Sequence, residues 1–398
     1  MNDRANAATS GACAFDEWRD ANARMVDELS AAGLLDDPRW RDAFSSVPRH
    51  VFVPRFLHDS AVISCSDPAT ADQWRASIYT DTTLITQTAA APRYTSELPT
   101  SSSTLPSLMA HMLNLLEIDD NSVVLEIGSA TGYNTAVLCH VVGDHHVTTV
   151  ELHPELSAEA SKRLSSIGMR PTVASGDGRR GHAAEAPFDR IISTCAASSV
   201  PAEWVQQLAP GGRIVTDLRT EMSSSLAVLD KIAPDRVEGR LLDHIGNFMW
   251  LRPDAASPML NPTAPDLIVY RDHESNHTAA TSIDPRILGE PGLRIALGIL
   301  EPALRIPLWL TDKRIAEEES YFLYADDGSW CDATPTDNGE HLVTQGGPRR
   351  VWDSVQRAVD TWHSIGEPDR GQYGVTVATD GAHAYWVDEP MRLVFPPT

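Results

Sequence analysis

The sequence is short of cysteine and of long apolar runs, and each shortage excludes a class of protein. Its five cysteines are scattered over 398 residues without a Cys-x-x-Cys pair, which predicts reduced thiols and no metal site. No apolar run approaches the roughly 18 residues of a membrane span, and no signal segment opens the chain. These patterns predict a cytoplasmic protein that does not insert into membranes.

Positive charge is also scarce. The chain carries 32 Lys and Arg against 55 Asp and Glu, a formal net charge of −23. Such a balance argues against nucleic acid or an anionic membrane as the partner, because both would be repelled. Two interpretations stay open: the acidity serves solubility, or it favours a basic partner such as a peptide with a cationic segment.

The length and the composition predict three regions. Residues 1–105 are expected to form an N-terminal helical and substrate-loop region, and residues 106–252 the main domain. A proline-rich linker over 253–263 then leads to a C-terminal α+β domain at 264–398. No internal repeat or low-complexity tract is found.

Within the N-terminal region, apolar spacing predicts two helices over residues 15–46, after a disordered start at 1–12. The two prolines of VPRHVFVP, residues 47–54, predict an extended passage. Residues 58–105 are weakly periodic and are expected to be irregular structure lying over another element.

The main domain alternates strand and helix signals. Strands are predicted at Val123–Ile127, His146–Glu151 and Asp189–Cys195, with helices between them, and two last strands at Ser224–Lys231 and Arg240–Leu251. This order predicts a Rossmann-like α/β fold with a mostly parallel sheet and helices on both faces. Ligands of such sheets bind beyond the carboxyl ends of the strands.

The segment VVLEIGSATGYN, residues 123–134, combines a buried strand, a tight turn and a helix N-terminus. Its spacing, Glu126-x-Gly128-x-x-x-Gly132, differs from the dinucleotide fingerprint G-x-G-x-x-G. It is typical of S-adenosylmethionine-dependent methyltransferases. The predicted cofactor is therefore S-adenosyl-L-methionine, with S-adenosyl-L-homocysteine as the product.

Later strand ends add to this site. Glu151 ends the second strand, where an acid can accept hydrogen bonds from ribose hydroxyls, and Asp177 lies between two glycines where an adenine amino group can bind. The strand Asp189–Cys195 would end beside the methyl group. The predicted cofactor-binding residues are Glu126, Gly128, Ser129, Ala130, Gly132, Glu151, Leu152, Gly176, Asp177, Gly178 and Thr194.

Several motifs together resemble protein-L-isoaspartate O-methyltransferases. They are VPRHVFVP at 47–54, PSLMAHMLNLL at 106–116, EIGSATGYN at 126–134, SGDG at 175–178 and the segment from PFDRIISTC to GGRIV at 187–215. The resemblance covers roughly residues 38–252. It implies a class I methyltransferase that esterifies a carboxylate.

The end of the chain, with VWDSVQRAVDTWHSIGEP, YGVTV and a DG hairpin, resembles the extended actinobacterial subgroup of the FxLD system. Members are encoded with ribosomally made peptides such as lanthipeptides, graspetides and lasso peptides. The resemblance implies methylation of an aspartate side chain in a modified precursor peptide, followed by closure to a succinimide (aspartimide) or isoaspartate. The C-terminal domain would then recognise the peptide.

The chain departs from the family pattern at two places. Ala130 stands where the turn often has glycine, and Thr104 aligns with a serine that contacts the isoaspartyl substrate in the repair enzymes. Ser103 and Thr104 are therefore expected to orient the acceptor carboxylate. Arg49 and His50 are candidates to offset its charge, although Arg49 can instead pair with an acid of the N-terminal helices.

The chemistry asks little of the protein. A carboxylate is ionised at neutral pH and needs no general base, so the enzyme has to align the reactants and exclude water. The lack of a Ser/His/Asp set in the sequence agrees with this. A general isoaspartate repair methyltransferase and a non-catalytic peptide-binding protein remain the alternatives, and the oligomeric state stays open.

Overall fold

The computed structural model describes residue 15 and residues 17–90, 97–254, 277–306, 320–337, 339–387 and 393–394. The predicted disordered start at 1–12, most of the predicted linker and its boundary at 264 lie outside the described residues.

The two predicted N-terminal helices are α1 (Trp18–Ala31) and α2 (Pro38–Ser46). Asp37 caps α2, since its carboxylate accepts a 2.8 Å hydrogen bond from the backbone N–H of Arg39. The prediction of an extended passage over 47–54 is wrong at its centre, where the chain forms the single-turn helix α3 (Arg49–Phe52). Pro48 precedes this turn, a position where its missing N–H costs nothing.

Residues 58–105 are not irregular. They contain most of an antiparallel sheet with the strand order β2-β1-β3-β4 and the short helix α4. The bounds are β1 (Arg55–His58), β2 (Ala61–Ser64), α4 (Ala71–Ser77), β3 (Leu84–Ala90) and β4 (Glu97–Ser103). The many Ser, Thr and Ala residues of these strands give a weak alternation, so sequence periodicity missed them.

The main domain follows the predicted alternation. Its helices are α5 (Pro106–Leu116), α6 (Tyr133–Val142), α7 (Pro154–Ser166) and α8 (Ala202–Gln207). Its strands are β5 (Val124–Ile127), β6 (Val147–Glu151), β7 (Thr172–Ser175), β8 (Phe188–Ala197), β9 (Leu208–Arg219), β10 (Ser224–Ala233) and β11 (Arg236–Leu241).

These strands lie in the order β7-β6-β5-β8-β9-β10-β11. The first five are parallel to one another, whereas β10 runs antiparallel to both of its neighbours. Every residue of β5 and β6 is buried, as expected for central strands of a sheet covered on both faces. The Rossmann-like α/β fold is therefore confirmed.

The last predicted strand of the main domain, Arg240–Leu251, is wrong over most of its length. The chain leaves the sheet after Leu241, and Gly246 passes so close to Asp217 that a Cβ atom would lie 2.6 Å from the Asp217 Cγ. It then reaches the end of β8, where the Ala196 N–H donates to the Met249 carbonyl and the Leu251 N–H to the Ala196 carbonyl, both at 2.8 Å. We call residues 246–252 the crossing segment.

The C-terminal region is α+β, as predicted, but it shares a sheet with the main domain. Strand β17 pairs with β11 in antiparallel register, so that the main sheet has ten strands. The pairing strands are β17 (Tyr373–Ala378), β18 (His383–Val387) and β19 (Leu393–Val394). The DG hairpin predicted between β17 and β18 is therefore present.

The rest of the C-terminal region packs onto this extension. It contains the helices α9 (Pro291–Leu300) and α10 (Val351–Ser364) and a separate five-stranded sheet in the order β12-β16-β15-β14-β13. The strand bounds are β12 (His277–Thr281), β13 (Leu304–Arg305), β14 (Tyr321–Ala325), β15 (Trp330–Thr334) and β16 (His341–Gly346).

One apolar core joins the two regions. Buried side chains of β5, β8 and β9 belong to the same cluster as those of α9, α10 and β17. The C-terminal region therefore packs against the main domain through a shared apolar core.

The structure shows the state of four of the five cysteines. Cys65 is disulfide-bonded, which makes the prediction of reduced thiols wrong for this residue, while Cys139, Cys195 and Cys331 are free. Within the described ranges, no helix is long and apolar enough to cross a membrane.

The shared core predicts a common unfolding transition. Leu297 of α9 is fully buried in it, and Leu297→Ala should lower the free energy of unfolding by about 2–5 kcal/mol, because it leaves a cavity. Urea titrations followed by tryptophan fluorescence and by circular dichroism should shift together. Leu342→Ala is the matched control, because Leu342 is 48% exposed. If Leu297→Ala shifted the unfolding transition seen by only one of the two methods, the single shared core would be contradicted.

Candidate active site

The turn between β5 and α6 requires glycine at both ends. Gly128 has φ +95°, and a Cβ atom there would lie 2.8 Å from both the Cys195 Sγ and the Thr194 Oγ1. Gly132 has φ +87° and precedes α6, with its Cβ position 3.2 Å from the Ala160 Cβ. A side chain at Gly128 would combine backbone strain with a steric clash, and one at Gly132 would combine backbone strain with a tight contact. The two glycines therefore allow the chain to turn tightly beyond the end of β5.

Glu126 holds this turn from below. Its carboxylate is fully buried and accepts hydrogen bonds from Asn134 Nδ2 at 2.7 Å, Thr135 Oγ1 at 2.5 Å and Thr149 Oγ1 at 2.7 Å. Burial raises the pKa of this carboxyl group, and the three hydrogen bonds oppose the rise. Because the side chain is not among the cleft-lining groups, we assign Glu126 to positioning rather than to cofactor contact.

Glu151 connects the turn to the end of β6. One carboxylate oxygen accepts a 2.8 Å hydrogen bond from the Ala130 N–H, and the other accepts from the His153 N–H at 3.1 Å. Ala130 itself has φ +44°, a left-handed conformation that costs a non-glycine residue about 1 kcal/mol. The bond from Glu151 helps to keep Ala130 in that conformation.

A cleft of about 460 Å³ lies beyond the carboxyl ends of β5, β6 and β8. Its other walls are β3, β4, the start of α5 and the crossing segment. Seven of the predicted site residues line it: Gly128, Ala130, Glu151, Leu152, Gly178, Thr194 and Thr104. The Thr194 hydroxyl donates to the Gly128 carbonyl at 2.8 Å, which fixes the end of β8 against the turn.

The remaining predicted cofactor residues do not line the cleft. Asp177 caps the turn that follows it, and its carboxylate accepts from the Arg179 guanidinium at 2.8 Å. Burial raises the pKa of Asp177, but the hydrogen bonds from Arg179 outweigh it and the pKa is lowered overall. The Ser129 hydroxyl shares a hydrogen bond with the Thr149 hydroxyl, at an Oγ–Oγ1 distance of 2.6 Å. Together with Gly132 and Gly176, these residues shape the strand ends instead of facing the cleft.

On the acceptor side, strand alternation separates the two predicted hydroxyls. Thr104 lines the cleft, whereas Ser103 points away from it, with 3% of its surface exposed and no hydrogen-bond partner for its Oγ among the described residues. Ser102 and Thr83 line the cleft as well and were missed by sequence reasoning. We call Thr83, Ser102 and Thr104 the acceptor wall, after the role that the sequence predicts for Thr104; Thr100 and Ser101 line the cleft as well.

Arg49 is not a cleft residue, which corrects its predicted role. Its side chain is fully buried, and the guanidinium donates to the backbone carbonyls of Ile78, Thr80, Thr82 and Thr104 at 2.9–3.3 Å. Burial lowers the pKa of Arg49 to about 10, so the group stays charged at neutral pH. Arg49 thus ties the segment before β3 to Thr104, which lies between β4 and α5, and both segments adjoin the acceptor wall.

His50 is also a core residue and not a cleft residue. Its Nδ1 lies 2.7 Å from the Tyr79 hydroxyl, and its ring packs among the aromatic rings of Phe15, Trp18 and Trp74. Burial lowers the pKa of His50 from 6.5 to about 4. A neutral imidazole in this place cannot offset the charge of an acceptor carboxylate.

The crossing segment supplies cleft residues that the predicted strand concealed. Asn247, Trp250 and Arg252 line the cleft together with Arg219 from the end of β9. The Arg219 guanidinium lies 4.9 Å above the Trp250 ring and donates to the Phe248 carbonyl at 2.8 Å. Gly246 at the start of this segment was the one local signal that the strand is interrupted.

This arrangement defines the class of the protein. A parallel sheet with a glycine turn after its first strand, an acid at the end of its second and a cleft beyond both is that of a Rossmann-like class I methyltransferase. The model of the family described as "Protein-L-isoaspartate(D-aspartate) O-methyltransferase (PCMT)" matches residues 20–246, more than half of the chain. The chain belongs to this family.

Individual relatives agree with the assignment. The chain is 31% identical to the protein-L-isoaspartate O-methyltransferase of Hyperthermus butylicus, over 59% of this chain and 93% of the relative. It is 34% identical to the one of Trichlorobacter lovleyi, over 54% of this chain and 85% of the relative. A solved structure named protein-L-isoaspartate O-methyltransferase shares the fold with a TM-score of 0.51 and 19% identity, over 92% of this chain and 99% of that chain.

The residues of the cleft fit S-adenosyl-L-methionine, the cofactor of this class. Gly128 leaves room for a close approach to the backbone, and the Glu151 carboxylate lines the cleft, where it would accept hydrogen bonds from ribose hydroxyls. Of the predicted cofactor residues, those that line the cleft and would hold the cofactor are Gly128, Ala130, Glu151, Leu152, Gly178 and Thr194.

The burial of His50 predicts a pH effect on stability. The folded pKa is depressed to about 4 from 6.5, so the unfolded chain binds more protons and stability falls as the pH drops from 6.5 toward 4. When the pH is lowered from 7 to 5, the free energy of unfolding should fall by about 2 kcal/mol less in His50→Gln than in the wild type. Urea unfolding at both pH values measures this. His58→Gln, at an exposed histidine, should behave like the wild type, and equal losses in all three proteins would contradict the assignment.

Proposed function

We propose that the protein transfers a methyl group from S-adenosyl-L-methionine to a side-chain carboxylate of an aspartate-derived residue in a peptide or protein. The observation that carries this proposal is the acceptor wall of Thr83, Ser102 and Thr104, which faces the cofactor-side turn across one cleft. Hydroxyl groups there can donate hydrogen bonds to a carboxylate, which is already ionised and needs no general base.

The chemistry needs positioning and little else. When bound, S-adenosyl-L-methionine would supply a methyl group activated by its positive sulfur, which the carboxylate oxygen would accept as the S–C bond breaks, without a proton transfer. The acceptor wall orients the oxygen, and the apolar side chains of Leu105 and Leu108 exclude water from the cleft. Burial raises the pKa of Cys195 to about 12, so this thiol stays protonated and does not compete as a nucleophile.

Charge also favours a carboxylate at this place. Arg219 and Arg252 line the cleft in a chain whose formal net charge is −23. A local excess of cations lowers the free energy of a bound anion inside a cleft more than on an open surface. This supports an anionic acceptor over a neutral hydroxyl or amine.

For the substrate class, we propose an aspartate in a modified precursor peptide, with an isoaspartyl protein as the alternative. The departure at Thr104 and the C-terminal resemblance to peptide-modifying enzymes support the first. After esterification, the next amide nitrogen attacks the ester carbonyl and methanol leaves, which gives a succinimide. The C-terminal region alone does not separate the two, since fold similarity to a protein named protein-L-isoaspartate O-methyltransferase extends over 92% of this chain.

The proposal is tested with two acceptors, a linear isoaspartyl peptide and a macrocyclic peptide that contains aspartate. Incubation with methyl donor should add one methyl ester and then release methanol, as seen by mass spectrometry. Faster reaction of the macrocycle supports the modified-peptide substrate, and faster reaction of the isoaspartyl peptide supports repair.

Thr104→Val tests the acceptor wall. Loss of a hydroxyl that donates to a charged oxygen should lower kcat/KM by at least about tenfold. Thr278→Val, on β12 outside the cleft, is the control. Binding of S-adenosyl-L-homocysteine without methylation of either peptide would point to a non-catalytic peptide-binding protein.

A further inference from the structure

A second, smaller cavity of about 60 Å³ lies beside the active-site cleft. It forms where the turn between β9 and β10 meets the C-terminal region at the start of α9. Arg219 and Asn247 line both the cleft and this cavity, so the two spaces share a wall. The family resemblance and the proposed reaction leave this cavity without a role.

Three arginines line the small cavity: Arg219, Arg294 and Arg370. Arg294 of α9 donates through Nε to the Met222 carbonyl at 2.7 Å and forms no ion pair with any described residue. Arg370 is 8% exposed and donates through Nη1 to the Ser224 carbonyl at 2.5 Å. Its Nε has no hydrogen-bond partner in the described part of the chain, and lies 3.7 Å from the exposed carboxylate of Asp243.

Acids lie near two of these three cations, Glu221 near Arg219, and Asp217 and Asp243 near Arg370. Glu221 also lines the cavity, but its carboxylate lies 2.8 Å from the Arg305 guanidinium. Asp217 accepts from the Ser224 hydroxyl at 2.7 Å and from the Phe248 N–H at 3.1 Å. Burial, together with repulsion from Arg370, lowers the pKa of Arg294 to about 10, which leaves it charged at neutral pH. Among the described residues no carboxylate is ion-paired with Arg294, so the unbalanced positive charge of the cavity lies on this side chain.

The backbone adds to this positive charge. Helix α9 has ten residues and begins at Pro291, which lines the cavity. The first N–H groups of a helix lack intrahelical acceptors, and its N-terminus carries a partial positive charge that favours an anion. The Arg294 guanidinium, which is ion-paired with no described residue, together with this helix N-terminus, indicates a place for a small oxyanion.

We propose that this cavity is an oxyanion subsite that binds a second carboxylate of the acceptor peptide, separate from the one that is methylated. The proposal rests on the proposed function. An acceptor chain that leaves the cleft past Arg219 and Asn247 reaches Arg294 and Arg370, so the C-terminal region contributes to substrate choice through these two side chains. Free inorganic phosphate shares the chemistry of a carboxylate and is the competing occupant.

The kinetic test uses pairs of isoaspartyl peptides. The two members of a pair differ only at one position, which is glutamate in one and glutamine in the other. From pair to pair, this position moves along the peptide on either side of the methylated residue. At the preferred position, the wild type should show a KM about tenfold lower for the acidic peptide, because a charge-assisted hydrogen bond is lost in the neutral one. Arg294→Gln should reduce this ratio to about one, and Arg294→Lys should restore part of it. Arg286→Gln is the control, because Arg286 pairs with Asp284 on the surface.

A binding measurement keeps the test independent of turnover. Thermal unfolding is followed with glutarate or with inorganic phosphate, in the wild type and in Arg294→Gln. Stabilisation by glutarate that Arg294→Gln abolishes supports the subsite even if no peptide is methylated, an outcome that would refute only the proposed function. Equal KM values for acidic and neutral peptides at every position overturn the proposal, as does stabilisation by phosphate without any by glutarate.

Discussion

The site depends on one buried carboxylate. Glu126 stands in a central strand with no access to water, where a carboxylate is unfavourable unless its oxygens accept hydrogen bonds. Asn134 and Thr135 from α6 and Thr149 from β6 provide them. These bonds join the first strand, the helix that follows it and the second strand at the point where the cofactor-side turn is made. This turn also presents the Ala130 N–H, which donates to Glu151. By holding the turn, the Glu126 carboxylate therefore helps to position the Glu151 carboxylate.

A second constraint acts from the opposite side of the cleft. The crossing segment leaves the sheet, passes Asp217 at Gly246 and bonds to Ala196 at the end of β8. This path brings Trp250 into the cleft beside Arg219 from the end of β9, and it closes the space beyond the strand ends. Because β17 adds to the same sheet, the C-terminal region reaches the same edge and places Arg294 and Arg370 next to the active site.

Sequence reasoning found the elements that local signals define. The strand of five apolar and acidic residues, its two glycines and the acid at the end of the next strand follow one another closely, so fold class and cofactor could be predicted. Sequence reasoning could not tell a residue that contacts the cofactor from one that supports the turn. Every residue of β5 is buried, so the pattern of apolar and polar residues does not show to which side Glu126 points. Arg49 was misassigned for a related reason: its four acceptors lie 29–55 residues away.

The central claim is that Glu126 holds the turn and Glu151 contacts the ligand, and calorimetric titration with S-adenosyl-L-homocysteine tests it most directly when thermal unfolding is measured alongside. Glu126→Ala leaves three buried donors unsatisfied and should lose both affinity and about 3 kcal/mol or more of stability. Glu151→Gln should weaken binding by at least about tenfold with a much smaller loss of stability. If Glu126→Ala binds the product as tightly as the wild type, the turn does not depend on this carboxylate and the account is contradicted.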